Sequence, residues 1–345
     1  MPDNSLLPSR KADHIRINVE KDVHSGLQSG FDEYRFNHNA LPELNLDEVN
    51  TKIKIFGKQL KAPVLISSMT GGTPEAAEVN RNLAQAAQKH GLAMGLGSQR
   101  AAIEDTNLAY TFQIRSVAPD ILLFANLGAV QLNYGYTIDQ CRKAVEMVEA
   151  DALYLHLNSL QEALQPEGDH HFVGLLSKIE DVCHELPVPV IVKEVGWGIS
   201  GKVAKQLWEV GVQAIDVAGA GGTSWSQVES HRIEDPTNRR IASDFHGWGI
   251  PTTACLEQIK TQIPHMLTFA SGGIANGIDI AKSIALGASL CGLAGPFIRA
   301  VKISEDSVEN LIGYLVNELR IAMFATGCRN LDELKNTRLI KQKAS

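Results

Sequence analysis

Leu153-Tyr154-Leu155-His156-Leu157-Asn158-Ser159-Leu160-Gln161-Glu162 begins as strict alternation. Leu153, Leu155 and Leu157 fall on one side of an extended chain, and Tyr154, His156 and Asn158 on the other. A half-exposed strand of any sheet shows the same pattern. The next residues are more telling: an amide and a carboxylate, Gln161 and Glu162, in a short turn directly after the strand. Inside a closed parallel sheet the polar side would aim at a buried centre, and the turn would cap it.

The flanking sequence supports that setting. From residue 63 onward, short apolar strands alternate with helices. Strands are predicted over 63–68, 93–97, 121–126, 153–158, 189–193, 214–218, 266–270 and 290–294. Helices are predicted over 74–90, 108–117, 138–149, 174–184, 201–210, 277–286 and about 307–325. Eight such units in roughly 250 residues fit a closed α/β architecture, the TIM (β/α)8 barrel, better than a doubly wound open sheet. The expected division is an N-terminal substrate-covering segment over 1–62 and a barrel over 63–345. One connection is irregular: residues 223–249, rich in Ser, His, Arg and Asp, read as a lid or a disordered loop.

Composition narrows the function. The chain has 345 residues, 44% hydrophobic and 21% charged, which is ordinary globular composition. A formal charge of −7 argues against a nucleic-acid partner. The five cysteines are scattered with no Cys-x-x-Cys pair, so a zinc site or disulfide framework is not expected and a reducing, cytoplasmic setting is. The polar N-terminus shows no signal peptide. The most membrane-like run, residues 283–298, is shorter than the roughly 20 residues a spanning helix needs and is broken by Gly287, Gly292, Gly295 and Pro296, so no membrane partner is expected.

In such a barrel, chemistry sits at the carboxyl ends of the strands. Polar residues and glycines gather at every one of them: Ser67-Ser68-Met69-Thr70, Ser98-Gln99-Arg100, Asn126, His156 to Glu162, Lys193, Gly219 to Thr223, Ser271-Gly272-Gly273 and Ala294-Gly295. The glycines after strands seven and eight admit a phosphate to the backbone, with a helix N-terminus near Asn276 behind them; tight turns alone would also use glycine. Lys193 ends an apolar strand. It either has a buried partner or stabilises negative charge on an electron-rich ring, whose edge Asn126, Ser98 and Thr70 would hydrogen-bond. FMN satisfies both halves, phosphate and ring. The stretch Gly196 to Val203 nearly spells a P-loop but has Val203 where a Mg²⁺-binding hydroxyl belongs. The fragment Gly95-Leu96-Gly97-Ser98-Gln99-Arg100 lacks the last glycine of a dinucleotide fingerprint. Arg10, Lys11 and Arg100, with Glu162 as a Mg²⁺ ligand, suit a diphosphate.

These residues resemble a known family, the type 2, flavin-dependent isopentenyl-diphosphate isomerases. The matching pieces run in order along nearly the whole chain: Arg10-Lys11-x-x-His14, His38-x-Ala40-Leu41-Pro42-Glu43, Ser67 to Gly72, Gly97 to Arg100, His156-Leu157-Asn158-x-Leu160-Gln161-Glu162, Lys193-Glu194-Val195-Gly196, Gly221 to Trp225, Gly249 to Thr252, Ser271 to Ile274 and Ala294-Gly295-Pro296. Three positions depart from the usual pattern. Ser159 stands where proline is usual, Ala275 where arginine is common, and Ala218 where a serine often approaches the flavin.

The resemblance implies interconversion of isopentenyl and dimethylallyl diphosphate with reduced FMN and Mg²⁺. NADPH would be the flavin reductant, and the assembly a homo-oligomer, tetramer or octamer. It implies a catalytic group of Gln161, His156 and Lys193. Gln161 suits positioning or a relay, since an amide is a poor acid and a poor base. Arg10, Lys11, His14, Ser98, Gln99, Arg100, Asn158, Gln161 and Trp225 would bind substrate, and Glu162 the metal. Ser68, Met69, Thr70, Ser98, Asn126, Lys193, Thr223, Gly272, Gly273, Ile274, Ala294 and Gly295 would hold the flavin. The alternative is an FMN barrel oxidoreductase. A hydroxy-acid oxidase would need a His–Arg pair after strands seven and eight, and an IMP-dehydrogenase-like enzyme a cysteine in the loop after strand six. Neither is present in those places. A non-enzymatic flavin or phosphate binder would leave Arg10, Lys11 and Glu162 without a role.

Overall fold

The computed structural model describes residues 7–342, with all their side chains except those of 7–12 and 15. Eight parallel strands close into a barrel: Val64–Ile66, Ala93–Gly95, Leu122–Gly128, Ala152–His156, Val190–Lys193, Ala214–Asp216, Leu267–Ser271 and Leu290–Leu293. They follow one another around the ring in chain order, and the eighth pairs with the first. Alternation sorts each strand between two cores. Leu153 and Leu155 face outward, with Leu123 and Val192, against the helices. Tyr154 faces inward with Leu65, Phe124, Ile191 and Phe269. Phe124 stacks on Phe269 at 6.0 Å and meets Tyr154 edge-on at 5.0 Å, so aromatic rings fill the barrel axis.

The described part of residues 1–62 reaches both ends of the barrel, and not only the carboxyl end where the strand-end polar residues gather. The hairpin Ile53–Ile55/Lys58–Leu60 sits at the opposite, amino end of the barrel. There Ile55, Leu60 and Phe56 join the interior core, and Phe56 packs edge-on against both Phe124 and Phe269. A barrel interior lined with large apolar rings must exclude water at its lower end, and this hairpin does so. Residues 22–30, by contrast, run along the upper end. Ser25 N–H donates to Gly222 O, Ser224 N–H to Val23 O, and Thr253 N–H to Ser29 O.

Three helical expectations change. The helix expected over 108–117 is replaced by a short α-helix, Arg100–Glu104, and a 3-10 helix, Thr106–Thr111. Asp105 ends the first and caps the second through Asn107 N–H. Beyond it, Arg115 donates to the carbonyls of Ile121 and Glu149 and pairs with Asp151 at 2.8 Å, holding the chain in turns. The connection 223–249 is not a structureless loop: it forms helices Trp225–Ser230 and Pro236–Asp244, the latter with Asp235 as N-cap and proline in its first turn. The helix Thr252–Gln262 follows, unmarked by any clear hydrophobic period. Among the described residues no helix is long and apolar enough to cross a membrane.

Candidate active site

A cavity of about 950 Å³ opens at the carboxyl ends of the strands. Most of the residues expected at the flavin and substrate sites line it, from Ser68, Met69, Thr70 and Ser98 on one side to Thr223, Trp225, Gly272, Gly273, Ile274, Ala294 and Gly295 on the other. Asn126, His156, Asn158, Gln161, Glu162, Lys193, Arg100 and His14 complete the wall. Arg10 and Lys11 lie on helix Leu7–Glu20, but their side chains fall outside the described residues.

The cavity floor carries a buried ion pair. Lys193 Nζ is 3.3 Å from Asp216 Oδ2 and donates to Ser271 Oγ at 3.2 Å. Tyr154 O–H donates to Asp216 Oδ2 at 3.0 Å, and Ser271 O–H to Oδ1 at 2.5 Å. Burial, reinforced by the Asp216 charge, pushes the Tyr154 phenol well above its ordinary range, so it stays a donor. Tyr154 is therefore part of the floor, one step of the alternation below His156. Glu194, the residue after Lys193, points the other way. Its Oε2 accepts the N–H groups of Val195, Gly196, Trp197 and Gly198 and shapes the loop after the fifth strand. Burial pushes its carboxyl up to about 7 against the pull of those four bonds.

On the wall, Asn126 Nδ2 donates to Leu96 O, so its Oδ1 accepts from His156 Nδ1 at 2.8 Å. That bond orients the imidazole with the proton on Nδ1. Gln161 and Glu162, expected in a turn, lie on the short helix Ser159–Leu164. Glu162 accepts from Asn158 Nδ2 at 2.7 Å and from Asp169 N–H at 2.8 Å. Asn158 Oδ1 is buried without a partner.

Arg100 reaches the cavity rim, yet its guanidinium is held by Glu104 at 2.8 Å and Asp169 at 2.9 Å. Gln99 does not reach the cavity, contrary to its expected substrate role. It is fully buried, its Nε2 donates to Ala144 O, and its Oε1 accepts Asn126 N–H. Strand alternation ends at Gly95, so position 99 turns into the wall and braces Asn126.

Two carboxylates that organise the site escaped the sequence reading. Asp216 is one. The other is Glu229, fully buried on helix Trp225–Ser230. Its Oε1 accepts from Gln161 Nε2 at 3.0 Å and Gln165 Nε2 at 3.1 Å, and lies 3.2 Å from His14 Nε2. Its Oε2 accepts from Arg232 at 2.6 Å. His14 also meets Trp225 edge-on at 4.9 Å, tying the N-terminal helix to the mouth. The available signal was one of two glutamates, Glu229 and Glu234, in a stretch set aside as a loop.

The cavity suits a flavin in two respects. Ser68 Oγ and Thr70 Oγ1, at the end of the first strand, are buried with no partner, as ring-edge donors or acceptors awaiting a ligand would be. The loops after strands six and seven approach backbone to backbone: a Cβ on Gly222 would stand 2.7 Å from Gly273 N. Ala218, the departure nearest this loop, adopts φ +37° and offers no hydroxyl.

Comparison with known proteins agrees. The profile of the FMN-dependent dehydrogenase family matches residues 7–118 and 143–341. The chain is 52% identical over 336 residues to an isopentenyl-diphosphate delta-isomerase of Nostoc sp., covering 97% of this chain and 96% of that protein. It is 56% identical over 328 residues to the protein of the same name from Synechocystis sp., covering 95% and 94%. A lactate oxidase structure from Pediococcus acidilactici superposes with a TM-score of 0.71 at 17% identity, covering 100% of this chain and 96% of that one. A mandelate oxidase structure superposes at 0.66 and 18%, covering 96% and 99%; both likenesses speak to the fold alone. The chain belongs to the FMN-dependent dehydrogenase family and, within it, to the type 2 isopentenyl-diphosphate delta-isomerases.

Proposed function

We propose that this protein interconverts isopentenyl and dimethylallyl diphosphate with reduced FMN and Mg²⁺, without net oxidation. The observation that carries the reading is identity above 50% along at least 95% of the chain with relatives of that name. Reduced FMN, when bound, supplies a proton-exchanging ring nitrogen beside the substrate carbons. The chain's own residues do the rest. Lys193, Ser68 and Thr70 would orient the ring edge, and Gly272, Gly273, Ala294 and Gly295 would border its phosphate. His156 and Asn158 would hold the substrate phosphates, with His14, Arg10 and Lys11 closing from the N-terminal helix. Trp225 would exclude water from the hydrocarbon. Gln161, its Nε2 committed to Glu229, would present its amide to the reacting carbons as a positioning group.

Glu162 fits a metal that arrives with the diphosphate. Mg²⁺ commonly takes one or two carboxylates and fills its shell with phosphate oxygens and water. A carboxylate already accepting two hydrogen bonds retains lone pairs for that purpose. NADPH as reductant, a cytoplasmic setting and a homo-oligomeric assembly, tetramer or octamer, complete the proposal.

The decisive assay supplies isopentenyl diphosphate, Mg²⁺ and anaerobically reduced FMN to the purified protein. Dimethylallyl diphosphate formed without flavin oxidation is the expected result; no product with all components present sinks the proposal. Glu162→Gln should raise the Mg²⁺ concentration for half-maximal rate about tenfold or more. An unchanged Mg²⁺ dependence would remove Glu162 from the metal.

A further inference from the structure

The mechanism uses Lys193 but assigns nothing to the carboxylate beneath it. Asp216 is fully buried at the end of the sixth strand, level in register with Lys193 on the fifth. Each of its oxygens is engaged: Oδ1 by the Ser271 hydroxyl, Oδ2 by the Tyr154 hydroxyl and by Lys193 Nζ. Ser271 acts in both directions, accepting from Lys193 and donating to Asp216. Two of the three ammonium N–H groups are thereby directed, and the side chain lines the flavin cavity. The other titratable groups at this level are His156, level with Lys193 on the fourth strand but bonded to Asn126, and Cys291 of the eighth strand, buried within reach of the Asp216 charge.

We propose that Asp216 is a positioning residue: the buried counter-charge that keeps the Lys193 ammonium charged and aimed at the flavin ring, with Ser271 and Tyr154 fixing its direction. The inference rests on the flavin reading above. A lysine buried without a counter-charge gives up its proton far more readily than one in water. With Asp216 removed from beside it, the Lys193 ammonium loses its carboxylate partner and is expected to titrate.

The test is Asp216→Asn in the FMN-loaded protein, beside the wild type and the double variant Lys193→Met/Asp216→Asn. The absorption spectrum and midpoint potential of bound FMN are followed over roughly pH 6 to 9. The expected result is a one-proton step in Asp216→Asn that is absent from both other proteins. A purely structural aspartate would produce no such step. If Asp216→Asn folds without retaining flavin, the same step is read in its unfolding midpoint against pH. No step in the single variant, or a step that persists in the double, overturns the proposal. Should Asp216→Asn fail to fold, recovery of folding in the double variant supports the pairing; failure of both overturns it, because Asp216 would then be needed for the floor itself. A wild type that holds no FMN would sink the flavin reading instead.

Discussion

Glu229→Gln is expected to lower kcat about 100-fold or more while FMN stays bound and KM for the diphosphate changes little. The carboxylate collects donors from three directions: Gln161 and Gln165 on one oxygen, with His14 beside them, and Arg232 on the other. Burial pushes its pKa up, but the bond from His14, the charges of His14 and Arg232 and the Gln161 bond outweigh it and bring the carboxyl down to about 2. It is therefore an anion throughout the working range. A glutamine there turns one acceptor into a donor, facing either Arg232 or the two amides. Gln161 must then rotate, or a buried donor goes unpaired, at about 2–4 kcal/mol. That energy falls on the geometry of the reacting groups, which is why kcat should suffer more than KM. Stability offers an independent check. The folded pKa lies below the ordinary 4.5, so the stabilisation is complete above pH 4.5 and is lost as pH falls toward 2, about 3 kcal/mol in all. Acid unfolding in that window should be steeper for wild type than for the variant. A Glu229→Gln enzyme within threefold of wild-type kcat would remove Glu229 from the positioning of Gln161.

That carboxylate also shows where sequence legibility stopped. The barrel was legible because each strand is an apolar run bounded by glycine or polar residues, and the closed ring places every strand end on one surface. Position in the ring, not local chemistry, singled out His156, Asn158, Glu162 and Lys193. The partners that fix them were not legible. Asp216 is 62 residues from Tyr154 and 55 from Ser271 along the chain, and Glu229 is 68 from Gln161. Only closure of the barrel brings them together. Gln99 misled for a related reason: the period-2 rule says nothing past the last paired residue, and the chain turned its amide inward. Which end the hairpin of residues 53–60 closes was not legible either, because an apolar cover and an apolar plug look identical until the barrel axis is known.

Gly272→Ala should release the flavin, raising its Kd about 100-fold or more, and lower stability by about 3 kcal/mol. Glycines after the seventh strand admit two explanations, a phosphate approaching the backbone or a turn that only glycine can make. The structure adds a third element, close contact between two loops. Gly272 has φ +100°, and a Cβ there would run into the carbonyl of Gly219 and lie 2.7 Å from Gly219 N. The same two loops are laced by Gly219 N–H to Ser271 O at 2.8 Å and by Thr252 O–H to Gly272 O at 2.6 Å. The atoms the methyl would meet are all backbone, so it can be accommodated only by moving backbone at the mouth. Gly135 separates collision from strain. It has φ +92° but open space where its Cβ would stand, so Gly135→Ala should lose only about 1 kcal/mol and no flavin affinity. Flavin titration of the two variants, with urea unfolding alongside, reads both terms. A Gly272→Ala protein that binds FMN like wild type would show that this loop contact is independent of the cofactor wall, and the phosphate would then have to be sought at Ala294 and Gly295 alone.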